Sequence, residues 1–444
     1  MLNQSYRTMI TLGLPIILGQ LGIIIVSFAD NIMVGYHTTQ ELAAASFVNN
    51  LFGFAFIAGM GFSYGLTPII AQCFAQEKMN KAGEILKHSI FLNTAIGFGM
   101  ALAMMVVYNN LQWFDLPESI HPYIKPYFIL QNINLVLSLT FGAYKQFFDG
   151  WGNTVTPMWV LLISNVLNII GNWGLIFGNW GLPELGLTGA GISSLGARIF
   201  TLICFILIFT LHPRWKQIHE GYKKSSYSPK NLRRLFSLGA PVGLQLGVEA
   251  ASYTIAVIYV AWLGDAPLAA HQILCVITSL GFMVYYGFGA ATTILVSRDK
   301  ANNDLHAARK TALTGLKLSW IIAGMVILLI VFARHSLGYI FTPDQVVVDM
   351  VAITLIPVIV YQVGDAMQII YANALRGLED VKYLAKVALV VHLIIAPTLS
   401  YIFGFILVKD SPKLQLMAIW CAFPVSLTLL GVVLYKRFKR MTRG

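Results

Sequence analysis

The sequence predicts an all-α integral membrane protein of twelve transmembrane helices in two parallel six-helix repeats. Three observations carry this expectation. Charged residues make up 11% of the chain and hydrophobic ones 57%, with a mean hydropathy of +0.71, where soluble domains carry about 25% charged residues. Apolar runs of bilayer-crossing length, about 20 residues, recur along the whole chain. The two halves of the sequence also align with each other at a nearly constant shift.

Twelve spans are predicted, at 9–35, 43–73, 86–108, 123–148, 155–180, 187–212, 235–263, 268–297, 312–334, 346–375, 384–408 and 414–435. An even number puts both termini on one side. The side follows from the basic residues. Of 30 Lys and Arg, 25 lie at one set of span ends and four (Lys125, Arg334, Lys409, Lys413) at the other, with Arg198 inside a span. Short loops rich in Lys and Arg stay inside, so both termini are expected in the cytoplasm of a bacterial-type inner membrane. The net charge of +11 therefore reports topology, and no nucleic-acid partner is expected. The first apolar run is too long for a signal h-region and contains an acid, so no cleavable signal is expected. Cys73, Cys204, Cys275 and Cys421 lack metal or redox spacing and read as small apolar fillers.

The one long basic linker, 212–234, separates an N-terminal lobe (1–211) from a C-terminal lobe (235–444). At a shift of 226, Pro15 meets Pro241, Leu42-Ala43-Ala44 meets Leu268-Ala269-Ala270, Gly61 meets Gly287 and Thr67 meets Thr293. With one-residue gaps, DGWGN at 149–153 meets RGLED at 376–380. Parallel repeats of this kind enclose binding sites in membrane carriers. Each copy opens with a proline inside its first helix, and the missing backbone hydrogen bond makes Pro15 and Pro241 either fixed bends or hinges.

Only three of the 19 acidic residues lie well inside spans: Asp30, Glu249 and Asp365. A charge at membrane depth costs about 2.5–3.5 kcal/mol on insertion scales, so such residues face a cavity or a partner. Their neighbours are polar. Tyr361, Asp365 and Gln368 share one helix face, as do Gln245, Glu249 and Ser252, and also Asn165, Asn168 and Asn172; Gln20, Ser27 and Asn31 flank Asp30. The acids are unmatched between the copies: Glu249 corresponds to Ile23 or Ile24, Asp365 to about Ser138, and Asp30 to Ile255 or Ala256. The scaffold repeats and the chemistry does not. A desolvated carboxylate exchanges a proton for a cation, which is what an ion-coupled carrier needs. Carboxylates and amides are equally suited to Na+.

Other chemistries find less support. GFSYG at 61–65 fits the G-x-S-x-G nucleophile elbow, but that motif needs a strand-turn-helix context. An intramembrane serine hydrolase built on Ser63 remains a remote alternative. No phosphate-binding loop or H-E-x-x-H motif is present. His271 reads as a hydrogen-bonded core residue. No cofactor is expected beyond the coupling ion.

Together these features resemble the multidrug and toxic compound extrusion (MATE) family over nearly the whole chain. The likeness rests on LPIILGQLG and FADNIMVG in the first span, PELGLTGAGISSLGAR at 183–198, GLQLGVEAASYTIAVIYVAWLG at 243–264, LAAHQ at 268–272 and YQVGDAMQIIYANALRGLED at 361–380. A glutamate in the seventh helix and an aspartate in the tenth resemble the NorM-like branch. The resemblance implies two six-helix lobes around a V-shaped central cavity. It also implies antiport of amphipathic organic cations against Na+ or H+ by alternating access. It places Glu249, Asp365, Tyr361 and Gln272 in the cation or substrate site of the second lobe, and Asp30, Asn168 and Asn172 in that of the first. Ser194 replaces the family's threonine and keeps a hydroxyl. Asn172 stands where some relatives have an aspartate, which makes the first-lobe site less anionic. Asp344 is a further candidate substrate contact. A monomer is expected. The rival with a related fold is a lipid-linked oligosaccharide flippase, which would need several cationic side chains in its cavity, and only Arg198 is deeply placed in the sequence.

Overall fold

A computed structural model describes residues 4–114, 116–409 and 411–443. Among these the regular structure is entirely helical. In order the helices are α1 (Gln4–His37), α2 (Thr39–Ser63), α3 (Leu66–Ala75), α4 (Met79–Asn109), α5 (His121–Trp151), α6 (Val155–Phe177), α7 (Gly186–Leu211), α8 (Lys216–Lys224), α9 (Pro229–Ala261), α10 (Asp265–Ala301), α11 (Leu305–Leu337), α12 (Gln345–Gly377), α13 (Val381–Leu389), α14 (Ala396–Tyr401) and α15 (Pro412–Met441). Two π-helical stretches, Val390–Ile395 and Ile402–Leu407, join and extend α13 and α14.

Each predicted span finds its helix. Among the described residues eleven helical stretches are long and apolar enough to cross a membrane, counting α2 with α3 and α13 with its continuation. The twelfth span is α5, 31 residues long. Its hydropathy is lowered by Gln131, Asn132, Asn134, Lys145, Gln146 and Asp149, all buried inside the protein. The linker is more ordered than a loop reading implies. Trp215 is buried against Phe147 and Phe148, with ring centroids 5.6 and 5.1 Å away. Ser228 N donates to His88 Nε2 at 2.7 Å. Gly221 of α8 lies so close to α4 that an added Cβ would strike the Asn80 backbone.

The duplication is visible atom by atom. Thr67 Oγ1 donates to Gln146 Oε1 at 2.7 Å, and the matching Thr293 Oγ1 donates to Asn373 Oδ1 at 3.1 Å. A Cβ on Gly150 would meet Thr67 O at 2.8 Å, and one on Gly377 would meet Thr293 O at 3.0 Å. Helix ends repeat too. Glu77 and Asn303 take left-handed φ of 54° and 59°, and in each case the next amide returns to a carbonyl five residues back, Lys78 N to Cys73 O and Asp304 N to Asp299 O, both 2.9 Å. Gly152 and Glu379 form a second such pair, with Asn153 N to Phe148 O and Asp380 N to Leu375 O, again 2.9 Å. These are helix C-caps that satisfy otherwise orphaned carbonyls.

The chain forms two compact units, one of residues up to Ile17 with those from Leu244 onward, the other Leu18–Gly243. This division differs from the sequence-based lobes 1–211 and 235–444. The opening segment of α1 belongs with the later half, and that of α9 with the earlier. The reason lies in a repeated pattern, LGLPI at 12–16 and LGAPV at 238–242. A Cβ on Gly13 would lie 2.9 Å from the ring of Phe288 of α10, and one on Gly239 would lie 2.8 Å from the ring of Phe62 of α2 and 2.5 Å from its carbonyl oxygen. Glycine lets each segment press onto an aromatic ring of the unit it joins. Pro15 and Pro241 follow two residues later, where a lost backbone hydrogen bond eases the change of partner.

The Leu18–Gly243 unit packs around Phe52, Phe128, Leu135 and Leu139. The other packs around Trp420, Val351, Leu355 and Leu427. Within a bilayer, close approach through small residues replaces the hydrophobic effect as the main packing force between helices. Gly150→Ala and Gly377→Ala should therefore each cost about 1–3 kcal/mol through overpacking. Gly99→Ala, with open space at its Cβ, should be neutral. Apparent melting temperatures of the purified variants in detergent will check this.

Candidate cation sites in the two units

In the Leu18–Gly243 unit the first-helix acid meets α6 and α7. Asn172 Nδ2 donates to Asp30 Oδ1. With the Asn168 amide oriented to satisfy its neighbours, its Nδ2 donates to Asp30 Oδ1 at 2.9 Å. Its Oδ1 then accepts from Ser194 Oγ at 3.0 Å and Ser194 N at 3.2 Å. Asp30, Asn168, Asn172 and Ser194 thus form one cluster, with Asn168 and Asn172 one helical turn apart. Asn165, the third member of the stripe, faces Gly22 of α1, whose Cβ would lie 2.9 Å from its Nδ2. Arg198 stacks over Phe141, 5.6 Å from the ring centre, and lies within Coulombic range of Asp30. A second polar group, not anticipated from the sequence, links α5 to α2: Gln131 Nε2 donates to Tyr127 Oη at 2.7 Å, and Tyr127 donates to Asn49 Oδ1 at 3.0 Å.

In the other unit α9 and α12 bring Glu249 and Asp365 together. Glu249 is 9% exposed and Asp365 1%. A single amide nitrogen serves both carboxylates: Gln368 Nε2 donates to Glu249 Oε1 and to Asp365 Oδ1, each at 3.3 Å. The buried acceptors Asp365 Oδ2 and Gln368 Oε1 have no donor among the described residues. Tyr361, one turn before Asp365, shares a 2.8 Å hydroxyl hydrogen bond with Tyr253. Tyr253 in turn stacks on Phe423, with centroids 5.2 Å apart. Burying two carboxylates side by side is costly unless their charge is answered. The donor set, two carboxylates, an amide oxygen and a phenol, is the hard-oxygen chemistry that suits Na+ as well as H+.

Other sequence candidates lie elsewhere. Gln272 is exposed, and no hydrogen bond among the described residues ties it to the acid pair. Asp344 is the N-cap of α12, its Oδ1 accepting from Val346 N at 2.9 Å, which accounts for an acid there without a substrate. Ser63 is buried and donates to Met60 O at 2.7 Å, at a break between α2 and α3 rather than within a continuous helix. His271 accepts at Nδ1 from Trp420 Nε1 at 3.1 Å. Indole is a donor only, so the proton of the neutral ring sits on Nε2, toward Cys275 Sγ at 3.4 Å.

Cations are more deeply placed than the sequence implied. Lys145 is buried and bonds Asp149 at 2.8 Å. Arg376, counted from the sequence as a helix-end charge, is 4% exposed and donates to Gln245 Oε1 at 2.8 Å and Asn373 Oδ1 at 3.2 Å. His392 is buried in the first π-helical stretch, with no partner for Nε2 among the described residues. A lone histidine in an apolar run offers no spacing to flag it.

Comparison with known proteins agrees with this architecture. The MatE family model matches residues 15–173 and 241–402, so its two copies begin at Pro15 and Pro241. The chain is 25% identical to the multidrug resistance protein MdtK of Pectobacterium atrosepticum, over 98% of this chain and 96% of that protein. It is 26% identical to the multidrug resistance protein NorM of Vibrio cholerae, over 98% and 95%. Among solved structures it is similar to a MATE transporter in the straight conformation, with TM-score 0.89 and 18% identity, covering 99% of this chain and 96% of that one. The bent conformation matches with the same TM-score at 17% identity, and the same coverage.

The shared amide can be tested directly. Gln368→Leu should destabilise the protein by about 1–3 kcal/mol at neutral pH, because two buried carboxylates lose a donor. Apparent melting temperatures of both purified proteins in detergent will check this.

Proposed function

The chain belongs to the MatE family of multidrug-efflux transporters, in its NorM-like branch, and from that premise we propose that it exports amphipathic organic cations in exchange for Na+ or H+. It is a transporter and not an enzyme. The observation that carries the coupling proposal is the Glu249–Asp365 pair, buried, sharing one amide donor, with Asp365 Oδ2 left without a donor among the described residues. A cation entering this site neutralises the pair. An organic cation competes for the same charge, so the two occupy the protein in turn. The Asp30 cluster with Asn168, Asn172 and Ser194 offers a second, less anionic site of the same kind.

Alternating access requires the two units to move. Since α1 and α9 each pass from one unit to the other just beyond Pro15 and Pro241, motion between units is taken up in these helices, and the prolines are the proposed hinges. The excess of Lys and Arg at one set of helix ends supports cytoplasmic termini and a bacterial-type inner membrane location. The protein is proposed to work as a monomer.

The test is export of ethidium from proteoliposomes under an imposed Na+ gradient and then under an imposed pH gradient. Wild type should respond to at least one. Asp365→Asn and Glu249→Gln should each lower the driven rate at least tenfold while the protein remains inserted and monodisperse. Wild-type rates in both variants, or no response of the wild type to either gradient, would overturn the proposal.

A further inference from the structure

Four elements of the Leu18–Gly243 unit converge on one histidine. His37 is the last residue of α1, and its two ring nitrogens meet two different carboxylates. Nδ1 lies 2.6 Å from Glu41 Oε2 in the first turn of α2, and Nε2 lies 3.0 Å from Glu184 Oε1 in the segment before α7. Glu41 is buried, His37 half-buried and Glu184 exposed. Residues 37, 41 and 184 all lie outside the predicted apolar spans. The Glu41 carboxylate is also seated on α7: Gly186, the first residue of that helix, has a left-handed φ of 55°, and an added Cβ there would strike Glu41 Oε1. α6 closes the fourth side with Phe177, edge-on to the imidazole at 6.3 Å.

A carboxylate only accepts hydrogen bonds, and a neutral imidazole has a single N–H. Two bonds among these three groups therefore need two protons. Carboxylic acids ordinarily titrate near about 4 and histidine near about 6.5, so the ring holds both protons and is an imidazolium. Its place at the C-terminus of α1 favours that charge. Burial pushes the ring's pKa down, but Glu184 and Glu41 outweigh burial and hold it above the ordinary histidine value. The charged groups facing the ring are Glu41 from α2 and Glu184 from the 178–185 segment; α6 presents the uncharged Phe177, and the last turn of α1 adds no other charge.

We propose that His37 is a proton-operated clasp: as an imidazolium it ties Glu41 to Glu184 and holds the end of α1 on α2 and α7, and loss of one proton removes one tie and releases that end. The clasp acts on the helices that carry the Asp30 cluster. Asp30 lies seven residues before His37 on α1, about 10 Å along the helix, and Ser194 lies eight residues after Gly186 on α7. His37 is thus a positioning residue for that cluster. This last step rests on the reading that the Asp30 cluster takes a coupling cation; the clasp itself does not. With both termini proposed to be cytoplasmic, the pH sensed is that outside. The sign follows from linkage: a histidine whose pKa is raised on folding contributes fully below its unfolded value, about 6.5, and loses that contribution as pH rises through the folded value.

The test uses the full chain purified in detergent and labelled with 13C at histidine. The His37 ring signal, assigned by its loss in His37→Gln, should titrate above about 6.5 in wild type and lower in Glu184→Gln, which removes one charge. Backbone hydrogen exchange over 34–41 and 183–190, corrected for its intrinsic pH dependence, should be at least about threefold faster near pH 8.5 than near pH 6 in wild type, and equal at the two in His37→Gln. Glu184→Gln, at an exposed position, stands in if His37→Gln does not fold: the one histidine signal it moves is His37, and its exchange should respond less to pH than wild type. A ring that titrates at or below the ordinary value would overturn the clasp. So would wild-type exchange that ignores pH, or a pH response that survives intact in His37→Gln or in its stand-in. Ethidium export from proteoliposomes, compared at the same two pH values on the outer side, reports the positioning: the wild-type ratio should change by at least about twofold in His37→Gln. An unchanged ratio defeats the link to the Asp30 cluster. A wild type that never exports defeats the antiport reading, and the titration and exchange arms still decide the clasp.

Discussion

The close approach of glycine to phenylalanine, Gly13 on Phe288 and Gly239 on Phe62, is the contact on which the arrangement of this protein turns. Without a side chain at those two positions the leading segments of α1 and α9 reach the unit formed by the other half of the sequence. A methyl group would push each away from its ring. The units are therefore not the two sequence halves. Each is five helices and part of a sixth from one half, completed by a short segment from the other. A duplicated chain that exchanges equivalent segments makes two bodies that share helices rather than merely a loop.

Within that frame the polar chemistry is distributed unevenly. The repeated Thr–amide hydrogen bonds, the glycine contacts at Gly150 and Gly377, and the paired left-handed caps are common to both copies. The carboxylates are not. Glu249 and Asp365 share one donor in one unit, while Asp30 in the other is surrounded by amides. The first sets two carboxylates on one amide donor, and the second surrounds a single carboxylate with hydrogen-bond donors.

How much of this was legible in the sequence follows from the physics of each signal. The helices were legible because hydropathy over about 20 residues is a bilayer requirement, and the span predicted at 123–148 falls on α5 despite its buried polar side chains. The offset of 226 exposed the repeat because matching close contacts constrain Thr67 against Gly150 and Thr293 against Gly377. The three acids stood out because burying charge in a membrane is costly, and their helical spacing with Gln368, Asn168 and Asn172 led to their neighbours. The exchanged segments were hidden, since a Gly-x-Pro pattern says that a close contact and a bend are possible but not with which helix. Arg376 was hidden by its place at a helix end, where basic residues are normally solvated. Gln272 and Asp344 were named by resemblance of position; one is exposed and the other caps a helix, and neither is joined to the acids by a hydrogen bond among the described residues.

The polarity of α5 bears on how the protein enters its membrane. With Gln131, Asn132, Asn134, Lys145, Gln146 and Asp149 along its length, this helix partitions poorly into lipid by itself. Its polar side chains are answered largely by earlier parts of the chain: Tyr127 and Gln131 reach Asn49 of α2, Asn132 Nδ2 donates to Ala101 O of α4 at 3.1 Å, and Thr140 meets Thr94 of α4 at 2.9 Å. Those partners leave the ribosome before α5 does. Synthesis from the N-terminus thus supplies a docking surface ahead of the helix that needs it, and order of translation becomes a structural requirement: α5 is admitted to the bilayer by its predecessors rather than by its own hydrophobicity.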